Sequence, residues 1–309
     1  MLIRKGISIP LLIAASLCLA GCNGQRRSSG VFRETAFEFN KSIPAGSGKE
    51  PLTIHLVVND TYCKKTACAC IQNLAAREYE EVVTKLKRDF NIDLRLTYCL
   101  EEKELEGMLK SGRYDGAICK PWFAFRLMTT GDFRFTRVAD VLDPFDNGLL
   151  GSMFIVKKES LLTKPADIAG KILAIGQDDS YEKYHMAMAL LDKEGIKPSK
   201  IFRRSICSEG INMLLDNQAD VAVVSDYALI ASCAVDFAKP DAFRTILKTA
   251  DSPLCSVILD LNRVKNRDAA RLQAALLAIA GKNCPESFAS NGFVKPIGWI
   301  PEPYHGTTH

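Results

Sequence analysis

The hydrophobic and polar positions divide the chain into three stretches of different character. Ile7 to Leu19 is an almost unbroken apolar run, preceded by Arg4 and Lys5 and followed by Leu19-Ala20-Gly21-Cys22. Asn23 to about Glu50 is rich in Ser, Gly, Arg, Lys and Asn and has no period, the composition of a solvated tether. Regular periods begin at Leu52. Leu52 to Val58 reads as a strand. Tyr79, Val82, Val83, Leu86 and Phe90 then recur at helical spacing. Ile92, Leu94, Leu96 and Tyr98 alternate as a strand does. Leu105, Met108 and Leu109 mark a helix ending near Gly112, and Tyr114 to Cys119 is a short buried strand.

The alternation restarts further along. Strands are predicted at Gly151 to Val156 and Lys171 to Ile175, then a helix from about Ser180 to Glu194, stopped by Gly195. A strand near Ile201, a helix from about Ser208 to Asp216, the strand Val221 to Val224 and a helix through Ile230 follow. Ser256 to Leu261 reads as a strand and Ala269 to Ala280 as an apolar-faced helix. Strand–helix–strand repetition is the pattern of a parallel sheet with covering helices. The fold class is therefore α/β, as two Rossmann-like lobes with a ligand cleft between them. The expected division is a leader over 1–21, a tether over 22–50 and a two-lobed body beyond them.

The apolar run at the N-terminus is shorter than the about 20 residues a bilayer span needs, so it reads as the core of a secretory signal peptide. Small residues directly before Cys22 resemble a lipobox, which implies cleavage there and acylation of Cys22. Stable anchoring needs two lipid signals, which a fully modified Cys22 would supply. The net charge of +4, with basic and acidic residues interspersed, gives no nucleic-acid footprint. Of eleven cysteines, Cys18 and Cys22 fall in this N-terminal region. The other nine would live in an oxidising compartment, where pairing is expected and an odd one is left over.

A family comes into view in the middle of the chain. The stretch from Lys158 through Leu161, Pro165, Asp167 and Gly170 to Lys171 resembles the "S-x-x-x-L-x-D-L-x-G-K" segment of type 2 periplasmic substrate-binding proteins. Leu173 to Ser180 is similar to their next strand and ligand loop, Gln218 to Asp226 to their "G-x-x-D-A-x-x-x-D" strand, and Tyr114 to Cys119 to a strand of their first lobe. The match is to the phosphonate/phosphite-binding (PhnD-like) branch of ABC-transporter binding proteins, over roughly 52–295. The resemblance implies a Venus-flytrap fold, no catalysis, delivery of a solute to an ABC permease, and a discontinuous first lobe, 51–150 and 255–309, with the second lobe over 151–254; no cofactor is expected, and the protein is expected to be a monomer. The family's phosphonate site uses consecutive small hydroxyl residues at a helix start. Here that stretch is Asp178-Asp179-Ser180-Tyr181-Glu182, in which only Ser180 keeps the hydroxyl. Free N–H groups at a helix start attract an anion, whereas adjacent aspartates repel one. Asp179 and Glu182 alternatively form a capping box.

Ligands of open α/β sheets sit at the C-terminal ends of strands. That rule selects Asn59, Thr61 and Tyr62, then Lys120 and Trp122, then Ser180 and Tyr181, and finally Ser225, Asp226 and Tyr227. Lys120 either pairs with an anionic group or is simply solvated. Tyr62, Trp122, Tyr181 and Tyr227 either stack on a ligand or pack in the core. Ser225 and Asp226 either accept ligand hydrogen bonds, or Asp226 caps the next helix. His185, one turn into the Ser180 helix, is a ligand or a structural histidine.

The sharpest local feature is Cys63-Lys-Lys-Thr-Ala-Cys68-Ala-Cys70. Soft thiolates there could hold zinc or copper, with Cys99, Cys119 or His185 completing the shell. The compartment favours long-range disulfides instead, with Cys99 or Cys207 as partners. An alternative function is thus cysteine-dependent metal binding or sensing. Only four histidines exist, and no nucleophile elbow, P-loop or dinucleotide fingerprint appears, so catalysis is not expected. The predicted function is capture of a small polar anion of the phosphonate or phosphate class.

Overall fold

The computed structural model describes residues 50–131 and 133–299. The N-terminal run, Cys22, most of the tether, His305 and His309 lie outside them. The elements, in chain order, begin with β1 (Leu52–Val58), α1 (Glu80–Phe90), β2 (Ile92–Tyr98), α2 (Glu102–Lys110), β3 (Gly116–Cys119), α3 (Pro121–Thr130) and β4 (Phe135–Val141). They continue with β5 (Leu149–Leu150), β6 (Ser152–Lys157), β7 (Ile172–Gly176), α4 (Ala187–Lys193), β8 (Lys200–Arg204), α5 (Cys207–Leu215), β9 (Val221–Ser225) and α6 (Ser232–Val235). The last are β10 (Phe243–Lys248), β11 (Ser252–Pro253), β12 (Ser256–Asp260), α7 (Asn266–Leu277) and β13 (Phe293–Val294).

Two main sheets result. The first has the order β13-β4-β12-β3-β1-β2 and the second β10-β6-β9-β7-β8. In each, three strands are parallel: β1 lies between β2 and β3, and β7 between β8 and β9. The expected parallel sheets are therefore mixed. β12 returns antiparallel between β3 and β4, and β6 lies antiparallel between β9 and β10. The chain passes between the sheets twice, and the two passages pair with each other through the short β5–β11 ladder, Leu150 opposite Ser252. This is a two-lobe Venus-flytrap architecture.

Strand alternation explains the layers. Ile54, Leu56 and Val58 of β1 face one apolar cluster with Val82 and Leu86 of α1 and Leu272 and Ala275 of α7. Val57 faces the opposite one, with Leu105 and Leu109 of α2 and Phe123 and Leu127 of α3. The second sheet is covered by α5 and α6 on one side and α4 on the other. Burial of these faces is the main favourable term in forming both lobes.

Helix ends follow local chemistry. α1 carries Glu80 and Glu81 in its first turn and Lys87 and Arg88 in its last, matching the helix dipole. Its cap, Asn91, is left-handed at φ 54° and donates to Leu86 O. Gly195 sits at φ +68° after α4, and Ile196 N–H closes back on Leu191 O. The predicted Ser180–Glu194 helix is a π-helical turn, Tyr181–Met186, leading into α4. The predicted helix through Ile230 is a 3-10 turn, Asp226–Leu229, followed by α6. Helix α3, not foreseen, begins with Pro121 at its first position, where a missing N–H does no harm. Among the described residues no helix is long and apolar enough to cross a membrane.

Candidate functional site

A cleft of about 300 Å³ opens where the parallel strands of both sheets end. Asn59 and Thr61 follow β1, Lys120 follows β3, Asp179 to Lys183 follow β7, and Tyr227 follows β9. Thr66, Cys68, Cys70, Leu100 to Lys103 and Ser205 to Cys207 complete the wall. The volume suits a small polar solute.

The centre of the cleft is an ion pair between the lobes. Lys120 Nζ lies 3.0 Å from Glu182 Oε1, and Ser225 Oγ–H donates to the same oxygen at 3.1 Å. Burial alone would raise the Glu182 pKa, but Lys120 and Lys183 outweigh it and hold the carboxyl down to about 2. Burial disfavours the Lys120 ammonium, yet Glu182 and Glu102 raise its pKa overall. Gly176, the last residue of β7, lets the next turn approach closely: a Cβ there would fall 2.6 Å from Lys183 Cβ. That approach brings Lys183 to the cleft wall. Burial opposes the charge on Lys183, whereas Cys207 and Glu182 raise its pKa. On the lobe-1 side, burial pushes Glu102 up to about 7, and its Oε2 is buried without a hydrogen-bond partner. The inner wall thus holds the cations Lys120 and Lys183, the firmly ionised Glu182 and, in Glu102, a carboxyl poised near neutral pH between acid and anion; Glu101, Lys103 and Asp179 also line the cleft.

The loop bearing Asn59 is fixed from beneath. Asp60, buried, accepts from Arg77 Nη1 at 2.6 Å, from Tyr79 O–H at 2.8 Å and from Tyr62 N–H at 3.1 Å. Arg77 also donates to Leu142 O. Asn59 Nδ2 reaches Cys99 O at 3.1 Å and Leu100 O at 2.9 Å, tying two cleft loops together.

The structure brings Asn59, Thr61, Lys120, Ser180, Tyr181 and Tyr227 to the cleft wall. Ser225 touches it through Glu182. Four other candidates sit elsewhere. Tyr62 is core, edge-on to Tyr227 with ring centres 6.2 Å apart. Trp122 is buried against Tyr181, stacked at 4.6 Å, and belongs to a small apolar cluster with Met186. His185 is buried, and its Nε2 meets Asp178 O at 2.7 Å. Burial lowers its pKa, so it is a neutral structural histidine. Asp226 neither lines the cleft nor caps a helix: its carboxylate accepts Gly151 N–H at 2.9 Å, at the crossover between the sheets. The Asp179–Glu182 capping box is not formed either, because Glu182 turns inward to Lys120. Glu102, Lys183 and Ser205 were missed. Glu102 and Lys183 lie in charged helical segments that look solvated, and only the packing of two lobes buries them.

All nine cysteines of the described body are free thiols in the structure. Cys63 packs in one core cluster of the first lobe and Cys99 and Cys119 in another, away from Cys70 and Cys207. The shell proposed from sequence, with Cys99, Cys119 or His185, is therefore not assembled. Among the described residues no group of three or more His, Cys, Asp or Glu is placed to hold a metal ion. Cys68, Cys70 and Cys207 do line the cleft, and the thiol of Cys233, which sequence gave no reason to single out, interacts with those of Cys70 and Cys207.

A family model described as "ABC transporter, phosphonate, periplasmic substrate-binding protein" matches residues 72–296. The chain belongs to this family. This phosphonate-type substrate-binding protein shares its fold with solved structures of low identity. A Xanthomonas citri protein bound to a chloride ion is 16% identical, with a TM-score of 0.61, covering 80% of this chain and 92% of that one. PhnD1 from Prochlorococcus marinus in complex with methylphosphonate is 10% identical, with a TM-score of 0.56 and coverage of 80% and 93%. A binding-protein component of an ABC phosphonate transporter from Pseudomonas aeruginosa is 13% identical, with a TM-score of 0.54 and coverage of 79% and 81%. No curated protein matches the sequence. As a periplasmic substrate-binding protein of an ABC transporter, it binds a small molecule and works with a permease; it is not an enzyme.

Proposed function

We propose that this protein is a monomeric receptor, anchored to the membrane by lipid on Cys22, that captures a small oxyanion of the phosphonate or phosphate class for an ABC permease. The observation that carries the anionic ligand is the convergence of Lys120 and Lys183 at the start of the Tyr181 turn. The first N–H groups of a helical segment lack intrahelical partners and add to that attraction. Glu182 already uses part of this charge, its oxygen resting between Lys120 and Ser225. An incoming oxyanion takes Lys183, the remaining protons of Lys120 and the hydroxyl of Ser180. Glu102 supports the same reading: a carboxyl with pKa about 7 can stay protonated and donate a hydrogen bond to an anion.

The alternative, a cysteine-held metal, draws on the three thiols in the cleft wall. It lacks an assembled ligand set among the described residues.

Thermal-shift titration of the full-length protein separates the two. Methylphosphonate, phosphite or phosphate should raise the melting temperature, because a ligand that binds only the folded state stabilises it by mass action. Stabilisation by zinc or cuprous ion alone, with no response to any oxyanion, would contradict the proposal.

A further inference from the structure

Cys70 belongs by sequence to the long loop after β1, yet it is packed into the apolar cluster of the second sheet. Other members of that cluster include Ile155, Met213, Cys207 and Cys233. The 3-10 turn that carries it, Ala69–Ile71, lies against α6, the helix of Cys233. Asn73 clips the same contact: its Oδ1 accepts Ser232 N–H at 2.9 Å and its Nδ2 donates to Ile230 O at 3.4 Å. The Cys233 thiol donates to Cys70 O at 3.4 Å, and Cys70, Cys207 and Cys233 share one buried cluster in which the Cys233 side chain interacts with those of the other two. Cys207 in turn accepts Ser225 N–H at 3.5 Å. Cys233 thus links Cys70 and Cys207, which both lie in the wall of the cleft.

We infer that Cys70 and Cys233 form a reversible disulfide that fastens the loop of the first lobe to α6 of the second, with Cys207 as the base that takes the Cys233 proton. The three thiols have the needed asymmetry. Interaction with the Cys233 and Cys68 thiols lowers the pKa of Cys70, and interaction with Cys233 lowers that of Cys207, while that of Cys233 itself is raised. A periplasmic setting supplies disulfide oxidants.

The chemistry is thiol–disulfide exchange with an organic disulfide, RSSR, that enters the cleft. The Cys70 thiolate attacks one sulfur, the S–S bond of RSSR breaks, and RS⁻ leaves and takes a proton from solvent. Cys233 then passes its proton to Cys207 and attacks the Cys70 sulfur, expelling the second RS⁻, which takes that proton from Cys207. Two cysteine thiols are oxidised to one disulfide and RSSR is reduced to two RSH. The bond joins residues 163 positions apart, so it removes much freedom from the unfolded chain. It also fastens the loop of the first lobe to α6 at this contact.

The test uses the full-length wild-type protein in buffers of stepped reduced-to-oxidised glutathione ratio. Thiols are trapped by alkylation and the peptides mapped by mass spectrometry. A Cys70–Cys233 linked peptide is expected to appear as the ratio turns oxidising and to vanish on reduction. The melting temperature should rise by about 5 °C or more with it. The rise should be absent in Cys233→Ser, but the mapping on wild type decides even if that variant folds poorly. Alkylation of Cys233 at every ratio, a stable glutathione adduct on Cys70, or a Cys207–Cys233 or Cys68–Cys70 link in place of the expected one would overturn the inference.

Discussion

Lys120 and Glu182 join the two lobes across the cleft through a 3.0 Å ion pair in which the carboxylate is 2% and the ammonium 25% exposed. Such a pair costs much to break from one side, since the partner left behind is a buried, uncompensated charge. Lys120→Met should therefore destabilise the protein by about 3 kcal/mol in urea denaturation, and Lys120→Met/Glu182→Gln by clearly less. Equal losses in both would mean that the pair carries no coupling.

The same carboxylate sets an acid limit. Its folded pKa of about 2 lies below the usual 4.5, so its contribution is fully present above pH 4.5 and is lost as pH falls toward 2. Stability of the wild type should drop through that window more steeply than that of Glu182→Gln. Chemical denaturation at stepped pH measures it, and parallel curves would refute it.

Glu102 acts in the opposite sense. Its folded pKa is raised to about 7, so the folded state holds a proton that the unfolded state releases near 4.5. Its contribution to stability therefore declines from pH 4.5 to 7. Ionisation also turns a donor into a repelling charge beside the ligand. Relative to Glu102→Gln, which always donates, the wild type should bind methylphosphonate similarly at pH 6 and about tenfold more weakly at pH 8. Calorimetry of both proteins at the two pH values checks this; a constant ratio would remove Glu102 from the site.

How much of this was legible from sequence depends on range. β1, α1, β2, α5 and α7 follow from periods of two or 3.6, and β3, β7, β9 and β12 from short unbroken apolar runs, because these strands are buried on both faces. β12 shows where that stops: its apolar run, Ser256–Asp260, is plain, but nothing within it says that it lies antiparallel between β3 and β4. In the cleft, the strand-end rule reached Lys120, Ser180 and Tyr227 without knowledge of the packing. It could not place Trp122, whose position after β3 is right but whose ring turns into a core with Tyr181. Nor could it pair Lys120 with Glu182, 62 residues away, or Cys70 with Cys233.

The support under the cleft is a further point of failure. Arg77 and Asp60 are both fully buried and 2.6 Å apart. Arg77→Met should cost about 4 kcal/mol by stranding Asp60. It should also weaken ligand binding, because Asp60 holds the loop of Asn59. Unchanged stability in thermal denaturation would show that the network is dispensable.

At the other end of the chain, Cys22→Ala should move the protein from the membrane fraction to the soluble fraction of cells, since lipid on that residue is the proposed anchor. Retention in the membrane fraction would contradict lipidation at Cys22.

The central claim is that the cleft between Lys120 and Lys183 takes a small oxyanion. Isothermal titration of the full-length protein with methylphosphonate at pH 6, on wild type and on Lys183→Met, tests it most directly. The account predicts saturable one-to-one binding to the wild type and a loss of at least tenfold in the variant. No heat from the wild type, or equal affinity in both proteins, would contradict it.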